Sequence, residues 1–208
     1  MVKKMLNPRK AAVNILTKIE RDNAYSNLAL KDFLKDAELS REDIGFVSAL
    51  VYGVLDRRIT LDYILSRFMK TPIKKTAPFT LNVLRTALYQ IKYMDKIPES
   101  AAVNEAVKLI KKSKESRNAG FVNAVLRSVL RENTELPNDN SVKSLSVRYS
   151  APEWLVESFL KDYGVENTVS LLEESLKPAF TWLRVNNIKT SEQELSEKLE
   201  NIGVLAKK

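Results

Sequence analysis

Apolar side chains recur every three or four residues through most of the chain, which is the repeat of one buried helical face. Within residues 1–135 this pattern predicts a bundle of about seven helices. Residues that favour the start of a helix precede several apolar stretches: Asn7–Pro8, Ser26, Ser40 and Thr60. The predicted fold class is therefore mainly all-α.

Residues 97–127, IPESAAVNEAVKLIKKSKESRNAGFVNAVLR, contain the clearest of these patterns. Two helical stretches flank a short segment, KKSKESR, in which four cations accompany a single acid, Glu115. Each flanking stretch has one apolar face. The segment therefore predicts a pair of helices that pack inward and present a positively charged loop to solvent.

The pattern changes after a run of turn-forming residues at 133–141. We therefore predict two domains, residues 1–135 and residues 136–208. Two helices are predicted early in the second domain, at 152–163 and 166–176. Gly164 separates them as a helix C-terminal cap.

The end of the chain predicts a strand at 180–185 and a last helix that opens with Ser191 and Glu194. A single unpaired strand is not stable in water. Residues 136–208 are thus predicted to be a linker and the incomplete start of a small α+β segment of helices, one strand and a helix. On this interpretation the sequence is part of a longer protein.

Residue composition excludes several classes of site. The 208 residues contain neither cysteine nor histidine, so disulfides, ordinary zinc sites, cysteine nucleophiles and histidine proton relays are excluded. No glycine-rich loop for a nucleotide cofactor is present. No apolar run approaches the roughly 20 residues of a membrane span. The charged N-terminus does not resemble a signal peptide, so a cytoplasmic protein is the default expectation.

Positive charge is concentrated in the first 135 residues. They carry a net charge of +10 against −2 for residues 136–208, within a total of +8. Clustered lysine and arginine gain affinity for nucleic acids by releasing counterions from phosphates. A lysine-rich surface that only keeps the protein soluble is the alternative explanation.

Several short motifs of the sequence also resemble those of a known family. The resemblance rests on AAVNEAV and GFVNAVLR around the basic loop, on VSALVYGVLDRR at 47–58, on LRTALYQIKYMDKIP at 84–98, and on APEWLV and WLRVNN later. Together these resemble the N-terminal region of bacterial ribosomal-RNA cytosine-C5 methyltransferases of the Fmu/Sun (RsmB) type. That region has the fold of the antitermination factor NusB.

The resemblance implies an RNA-binding accessory domain of an S-adenosylmethionine-dependent 16S rRNA (cytosine-C5) methyltransferase. Its implied partners are ribosomal RNA and the catalytic domain of the same polypeptide, with no membrane and no metal. The cofactor and the cysteines that attack cytosine would belong to that catalytic domain, so this chain alone would have no cofactor, metal or catalytic residue.

Two alternatives remain open at this stage. A free-standing adaptor of the NusB antitermination type would bind RNA together with a protein partner, although it would not need the residues after 135. Alternatively, the helical domain mainly contacts its own catalytic domain, and its surface charge is incidental.

Three groups of cations are the candidate RNA-binding residues. The first, at the start of the first helix, is Lys3, Lys4, Arg9 and Lys10, where Arg9-x-x-Ala12 also resembles the family's pattern. Cations there cost roughly 0.3–1 kcal/mol each against the helix dipole, which favours a bound anion. The second is the loop group Lys111, Lys112, Lys114 and Arg117. The third, weaker group is Arg57, Arg58, Lys74 and Lys75. For each group, ordinary solvated side chains are the alternative.

Several other residues are predicted to be structural. Most aromatic residues on apolar faces are expected in the core, whereas Tyr93, between Lys92 and Lys96, is a candidate for stacking on a base. Asparagine is mildly unfavourable inside a helix, so Asn104 and Asn123 are expected to tie neighbouring helices or loops together. Trp154 and Trp182 are expected to be packing residues.

Overall fold

The computed structural model describes residues 7–35, 37–132, 134–177 and 182–205. Within these ranges it contains helices α1 to α10, joined by loops and two short 3₁₀ turns at Ile73–Lys75 and Ser116–Asn118. The helices are α1 Pro8–Asp22, α2 Ser26–Lys35, α3 Arg41–Asp56, α4 Arg58–Phe68, α5 Pro78–Tyr93, α6 Glu99–Lys111, α7 Ala119–Arg131, α8 Val142–Tyr149, α9 Glu153–Ser175 and α10 Glu192–Asn201. The prediction of a mainly all-α fold that begins with about seven helices is confirmed.

Helix starts follow the local sequence at several positions. The Asn7 side chain accepts a hydrogen bond from the backbone N–H of Lys10 at 3.1 Å, with Pro8 in the first turn of α1. Ser40 likewise caps α3 through the N–H of Asp43, also at 3.1 Å. Helix α4 differs from the prediction because it begins at Arg58, two residues before Thr60.

Helix α5 forms the centre of the bundle. It contacts α1, α3, α4, α6 and α7, and every residue from Leu81 to Leu88 is buried. A helix buried this deeply must find partners within the bundle for most of its polar side chains. In α5 the exception among the described residues is Thr86, whose buried hydroxyl has no hydrogen-bond partner. Pairs of contacts show that α1 runs antiparallel to α5, since Arg9 contacts Gln90 and Thr17 contacts Asn82.

Helix α3 approaches α5 closely at Gly53. A Cβ atom at this position would lie 2.0 Å from Cζ of Tyr89, so any larger residue would displace the tyrosine. The Tyr89 ring packs in turn on Tyr93, with 5.4 Å between the ring centroids. Glycine therefore sets the spacing between the two helices here.

Helices α8 and α9 build a second, smaller apolar cluster around Leu145, Tyr149, Val156 and Leu172. This part is attached to the bundle through Thr60, whose buried hydroxyl donates to the carbonyl of Val147 at 2.6 Å. The residue that marks a helix start in the sequence therefore joins α4 to α8 instead.

Gly164 interrupts α9 as the sequence predicts. Its φ of 72° and ψ of 177° are not helical, and they divide α9 into two helical segments. A positive φ of this kind is tolerated by glycine because it lacks a Cβ atom.

Trp154 does not pack in the core, and that prediction is wrong. It is 69% exposed, whereas Val156 on the same helix is fully buried. Residues two positions apart, such as Trp154 and Val156, differ by about 200° around a helix. The tryptophan therefore points away from the face that packs on α8. Trp182, expected to pack as well, is 87% exposed.

The described residues divide into two compact units, one that ends at Leu176 and one that begins at Lys177. In the second unit, α10 opens with a capping box in which Ser191 and Glu194 exchange side-chain and backbone hydrogen bonds, as predicted. The strand predicted at 180–185 lies partly outside the described residues, and residues 182–186 form neither helix nor strand. No described segment pairs with them, which a strand would require.

Candidate nucleic-acid interface

The start of α1 places Arg9 and Lys10 differently. Arg9 is half-buried: its Nε donates to Oε1 of Gln90 at 2.8 Å, and its guanidinium lies 5.1 Å from the centroid of the Phe46 ring. Burial lowers the pKa of Arg9, and the charge of Glu105 opposes that shift. Lys10 is exposed. Lys3 and Lys4 lie outside the described residues.

Helix α6 places two lysines near Arg9. Nζ of Lys108 contacts Oε1 of Glu105 at 2.8 Å. The Lys108 hydrogen bond lowers the pKa of Glu105, and the charges of Lys108, Arg9 and Lys112 act in the same direction. Residues 105, 108 and 112 are three and four apart and so share one side of the helix. The charges of Lys108, Arg9 and Lys112 thus all act on one acid of α6, Glu105, and we call these three cations the α6 face.

The loop between α6 and α7 exposes all four of its predicted cations: Lys111, Lys112, Lys114 and Arg117. We call these four residues the basic loop. Lys112 belongs both to this loop and to the α6 face, so the second candidate group and Arg9 of the first act on the same carboxylate, that of Glu105. Lys108, which the sequence interpretation missed, continues the same surface, and its spacing from Glu105 and Lys112 is the signal that identifies it.

Glu115, the acid within this loop, points inward. Its Oε2 accepts a hydrogen bond from the backbone N–H of Thr80 at 3.0 Å and another from the Thr80 hydroxyl. Asn118 donates from Nδ2 to the same hydroxyl at 2.8 Å. These contacts lie at the first turn of α5, where Ala77 offers no capping side chain. The loop is therefore held by its own acid, while its cations stay in solvent.

The third candidate group is divided. The Arg57 guanidinium lies 4.9 Å from the centroid of the Tyr93 ring, which is half-buried. Arg58 and Lys74 line an open cleft of about 550 Å³, together with Glu20 and Arg85. Lys75 is exposed in the neighbouring 3₁₀ turn. No contact of the described residues joins this group to the α6 face.

Beneath that cleft lies an ionic network that the sequence interpretation missed. Arg85 is 4% exposed and donates to both oxygens of Asp62 at 2.7 Å, as well as to Glu20. Asn82 connects the network, accepting from Arg85 at 3.1 Å and donating to Glu20 at 2.9 Å. Burial alone would lower the pKa of Arg85, but the hydrogen bonds and charges of Asp62 and Glu20 raise it.

The asparagines that connect helices are not those predicted. Asn123 accepts from Arg127 at 3.1 Å within its own helix, and Asn104 is exposed. Asn82 and Asn118 make the connections instead. A mid-helix asparagine signals the need for a partner, but its position in a sequence motif does not say where that partner is.

A site for S-adenosylmethionine does not fit the described residues. Such cofactors are held by glycine-rich turns between a strand and a helix. The five glycines here are isolated from one another: Gly45, Gly53, Gly120 and Gly164 lie within helix bounds, and Gly203 follows α10. The side chain of Tyr89 also fills the space beside Gly53. The described ranges also contain no group of three acidic side chains placed to bind a metal. Among the same residues, no helix has the length and apolar character of a membrane span.

Comparison with known proteins agrees with this architecture. The profile of the NusB family matches residues 6–131, which is more than half of the chain. The chain belongs to the NusB family. Residues 151–208 match a second profile, the ferredoxin-like domain of RsmF/B-like methyltransferases. The expected family is therefore confirmed for both parts of the sequence.

Curated relatives include both ribosomal RNA methyltransferases and NusB antitermination proteins. The probable ribosomal RNA small subunit methyltransferase B of Bacillus subtilis is 38% identical over 207 residues, which are 99% of this chain and 46% of that protein. The chain thus spans about half the length of the methyltransferase relatives it matches. The transcription antitermination protein NusB of Ruminiclostridium cellulolyticum is 30% identical over 66% of this chain and 94% of its own length.

A solved structure shows the same fold. The antitermination factors NusB and NusE, crystallised in complex with dsRNA, match with a TM-score of 0.55 over 60% of this chain and 93% of the matched chain. Sequence identity is 17%, so the likeness concerns the fold alone.

Proposed function

We propose that this chain binds ribosomal RNA as an accessory domain of an S-adenosylmethionine-dependent 16S rRNA (cytosine-C5) methyltransferase. The basic loop and the α6 face are its main contacts with the RNA backbone. Lys10 and, more weakly, Lys74 and Lys75 extend the surface, and Lys3 and Lys4 are proposed to join the α1 end. Residues 1–135 serve this role, and 136–208 lead towards the catalytic part. The site of action is the cytoplasm.

The inward orientation of Glu115 carries this proposal. A loop whose cations merely keep a protein soluble has no need to direct its acid away from solvent. With the carboxylate bound to α5, the exposed side of the loop presents Lys111, Lys112, Lys114 and Arg117 without a neighbouring anion from the same loop. Such a surface suits phosphates, which bind through charge and carry no sequence information by themselves.

The choice of a methyltransferase over other RNA-binding proteins rests on residues 151–208. The match of residues 151–208 to a domain of RsmF/B-like methyltransferases has no counterpart in a free-standing NusB. Because the chain contains no cysteine, the attack on cytosine and the cofactor are assigned to a catalytic domain in the same polypeptide.

The free-standing adaptor is therefore the less favoured function. It would use the same helical bundle, and NusB of Ruminiclostridium cellulolyticum is matched over nearly its whole length. It gives no reason, however, for α8 to be joined to α4 through the Thr60 hydroxyl or for a second domain match after residue 150.

RNA binding by the 208-residue chain tests the proposal directly. Fluorescence anisotropy with a labelled single-stranded segment of small-subunit rRNA, and with its duplex, gives the affinity across a range of salt concentrations. The triple variant Lys111→Ala, Lys112→Ala, Lys114→Ala removes three phosphate contacts. We expect it to reduce the slope of log affinity against log salt by about 2 on the single strand, at roughly 0.7 per contact.

A matched control removes the same charge from another surface. Lys31, Lys35 and Lys161 are exposed and lie on α2 and α9, away from the basic loop. The triple Lys→Ala variant at these positions is expected to keep the parent slope. Equal losses in the two triple variants would mean that net charge, not this surface, determines binding. No RNA binding by the parent chain at low salt would refute the proposed function itself.

A further inference from the structure

The basic loop is attached to the bundle at a point distant in sequence. Glu115 bonds to Thr80, 35 residues earlier, through both the backbone N–H and the hydroxyl. Asn118 adds a second contact with the same hydroxyl, so the Thr80 hydroxyl donates to Glu115 and accepts from Asn118. Ser113 contributes a third contact, because its Oγ accepts from the N–H of Glu115 at 3.0 Å and donates to the carbonyl of Ile110 at 2.8 Å.

The position of this attachment explains why a carboxylate is used. The first turn of a helix has unpaired N–H groups and a partial positive charge. Helix α5 begins with Ala77 and Pro78, which provide no side-chain cap. The Glu115 carboxylate supplies that cap from another part of the chain, and the helix end in turn fixes the carboxylate in place.

We infer that Glu115 is a positioning residue for RNA binding: by capping α5 it holds Lys111, Lys112, Lys114 and Arg117 on one exposed side of the loop. This inference rests on the proposed function, since it assigns a role within the same surface. Glu115 itself touches no RNA. Released from Thr80, the loop would sample many arrangements, and its carboxylate would lie among the cations.

Simple electrostatics makes the opposite prediction. Removing an acid from a cationic surface raises its affinity for a polyanion if the acid acts only through its charge. Removing a positioning acid lowers that affinity, because the four cations no longer meet the RNA backbone together. The sign of the change therefore separates the two roles.

Three variants measure that sign on the labelled single-stranded RNA. Glu115→Ala removes every contact with Thr80, whereas Glu115→Gln keeps an oxygen that accepts from the Thr80 N–H. Asn118→Ala breaks the neighbouring bond without changing any charge. We expect Glu115→Ala to weaken RNA binding by about fivefold or more, with Glu115→Gln and Asn118→Ala in between. The salt slope should fall by roughly 1 in Glu115→Ala, as fewer phosphates are contacted at once.

The measurements are made at a temperature where each variant is fully folded by circular dichroism, so that a loss of stability alone leaves the affinity unchanged. If Glu115→Ala does not fold, the other two variants carry the test. Equal or tighter RNA binding by the folded variants would overturn the positioning role. If the Glu115 and Asn118 variants bind RNA normally but the triple lysine variant does not, the proposed function stands without the positioning role. If the triple lysine variant also binds RNA normally, both the positioning role and the proposed function are refuted.

Discussion

Two parts of this protein contain acids and cations close together and use them in opposite ways. In the network around Arg85, each charge is paired with an opposite charge and the guanidinium is withdrawn from water. In the basic loop, the acid pairs with a helix end and the cations remain in solvent. The first arrangement joins α1, α4 and α5 through Glu20, Asp62 and Arg85, and the second leaves positive charge available to a partner.

This contrast shows that counting the acids and cations of a sequence segment does not tell which of them are paired and which remain exposed. Arg85 lies in an apolar stretch and has no acid next to it in sequence, yet it is fully paired. The loop KKSKESR contains an acid, yet its exposed surface has no anion from that segment. What decides is the neighbour in space, which here is Asp62 for Arg85 and the first turn of α5 for Glu115.

The largest effect is expected from Arg85→Ala. Both partner carboxylates are about a quarter exposed, so their uncompensated charge is partly relieved by water. We expect the free energy of unfolding to fall by about 3 kcal/mol, the lower end for a broken buried ion pair. Urea unfolding followed by circular dichroism measures it.

Arg58→Ala is the matched control, because Arg58 is exposed at the same cleft. We expect a change of no more than about 0.5 kcal/mol in the free energy of unfolding. Similar losses for the two arginines would show that the paired network does not differ from the surface cations.

A smaller effect is expected from Glu20→Gln. The amide keeps the shape and accepts a hydrogen bond, but the charge that faces Arg85 is lost. The free energy of unfolding should fall by about 1 kcal/mol, the difference between a charged and a neutral hydrogen bond. RNA affinity should change little, because Lys74 at the same cleft is proposed only as a weaker contact, and a large change would make the cleft a main part of the RNA-binding surface.

Glu105→Gln sharpens the comparison at the α6 face. This acid lies among Arg9, Lys108 and Lys112 and is expected to oppose phosphate binding. Its removal should tighten RNA binding by a few-fold, corresponding to less than about 1 kcal/mol at an exposed site. Anisotropy at low and high salt tests this, and weaker binding would contradict the position of the interface.

The smallest effect concerns Asp139 before α8. Hydrogen bonds from Ser141 and Ser144 lower the pKa of Asp139 from 3.8 to about 2. Because the folded-state pKa is the lower one, its stabilising effect is present above pH 3.8 and is lost as the pH falls to about 2. Carboxyl ¹³C NMR should follow the titration, and Ser144→Ala should raise the pKa. An unchanged value in that variant would exclude the serine as a cause.

The sequence was sufficient for features that depend on neighbours along the chain. The period of the apolar residues predicts the bundle, Ser40 and Ser191 predict helix starts, and Gly164 predicts the interruption of α9. The helix starts and the interruption depend on about four residues of local backbone, whereas the apolar period extends along each helix.

The features that the sequence could not predict join distant segments. Thr60 bonds to Val147, 87 residues later, whereas its neighbours along the chain predict only a helix start. The roles of Glu115 and Arg85 likewise depend on partners 23 to 65 residues away. The candidate RNA contacts stay predictions, although Lys108 contacts Glu105 and the charges of Arg9 and Lys112 act on the same carboxylate.

The missing side chain at Gly53 has an effect beyond the core. Tyr89 fills the vacant space, Tyr89 leans on Tyr93, and the Arg57 guanidinium rests on the ring of Tyr93. An added methyl group at 53 would displace Tyr89, and the displacement would pass through the tilted ring pair of Tyr89 and Tyr93 to the partly exposed Arg57. The position of the Arg57 guanidinium thus depends on how closely α3 and α5 approach each other at Gly53.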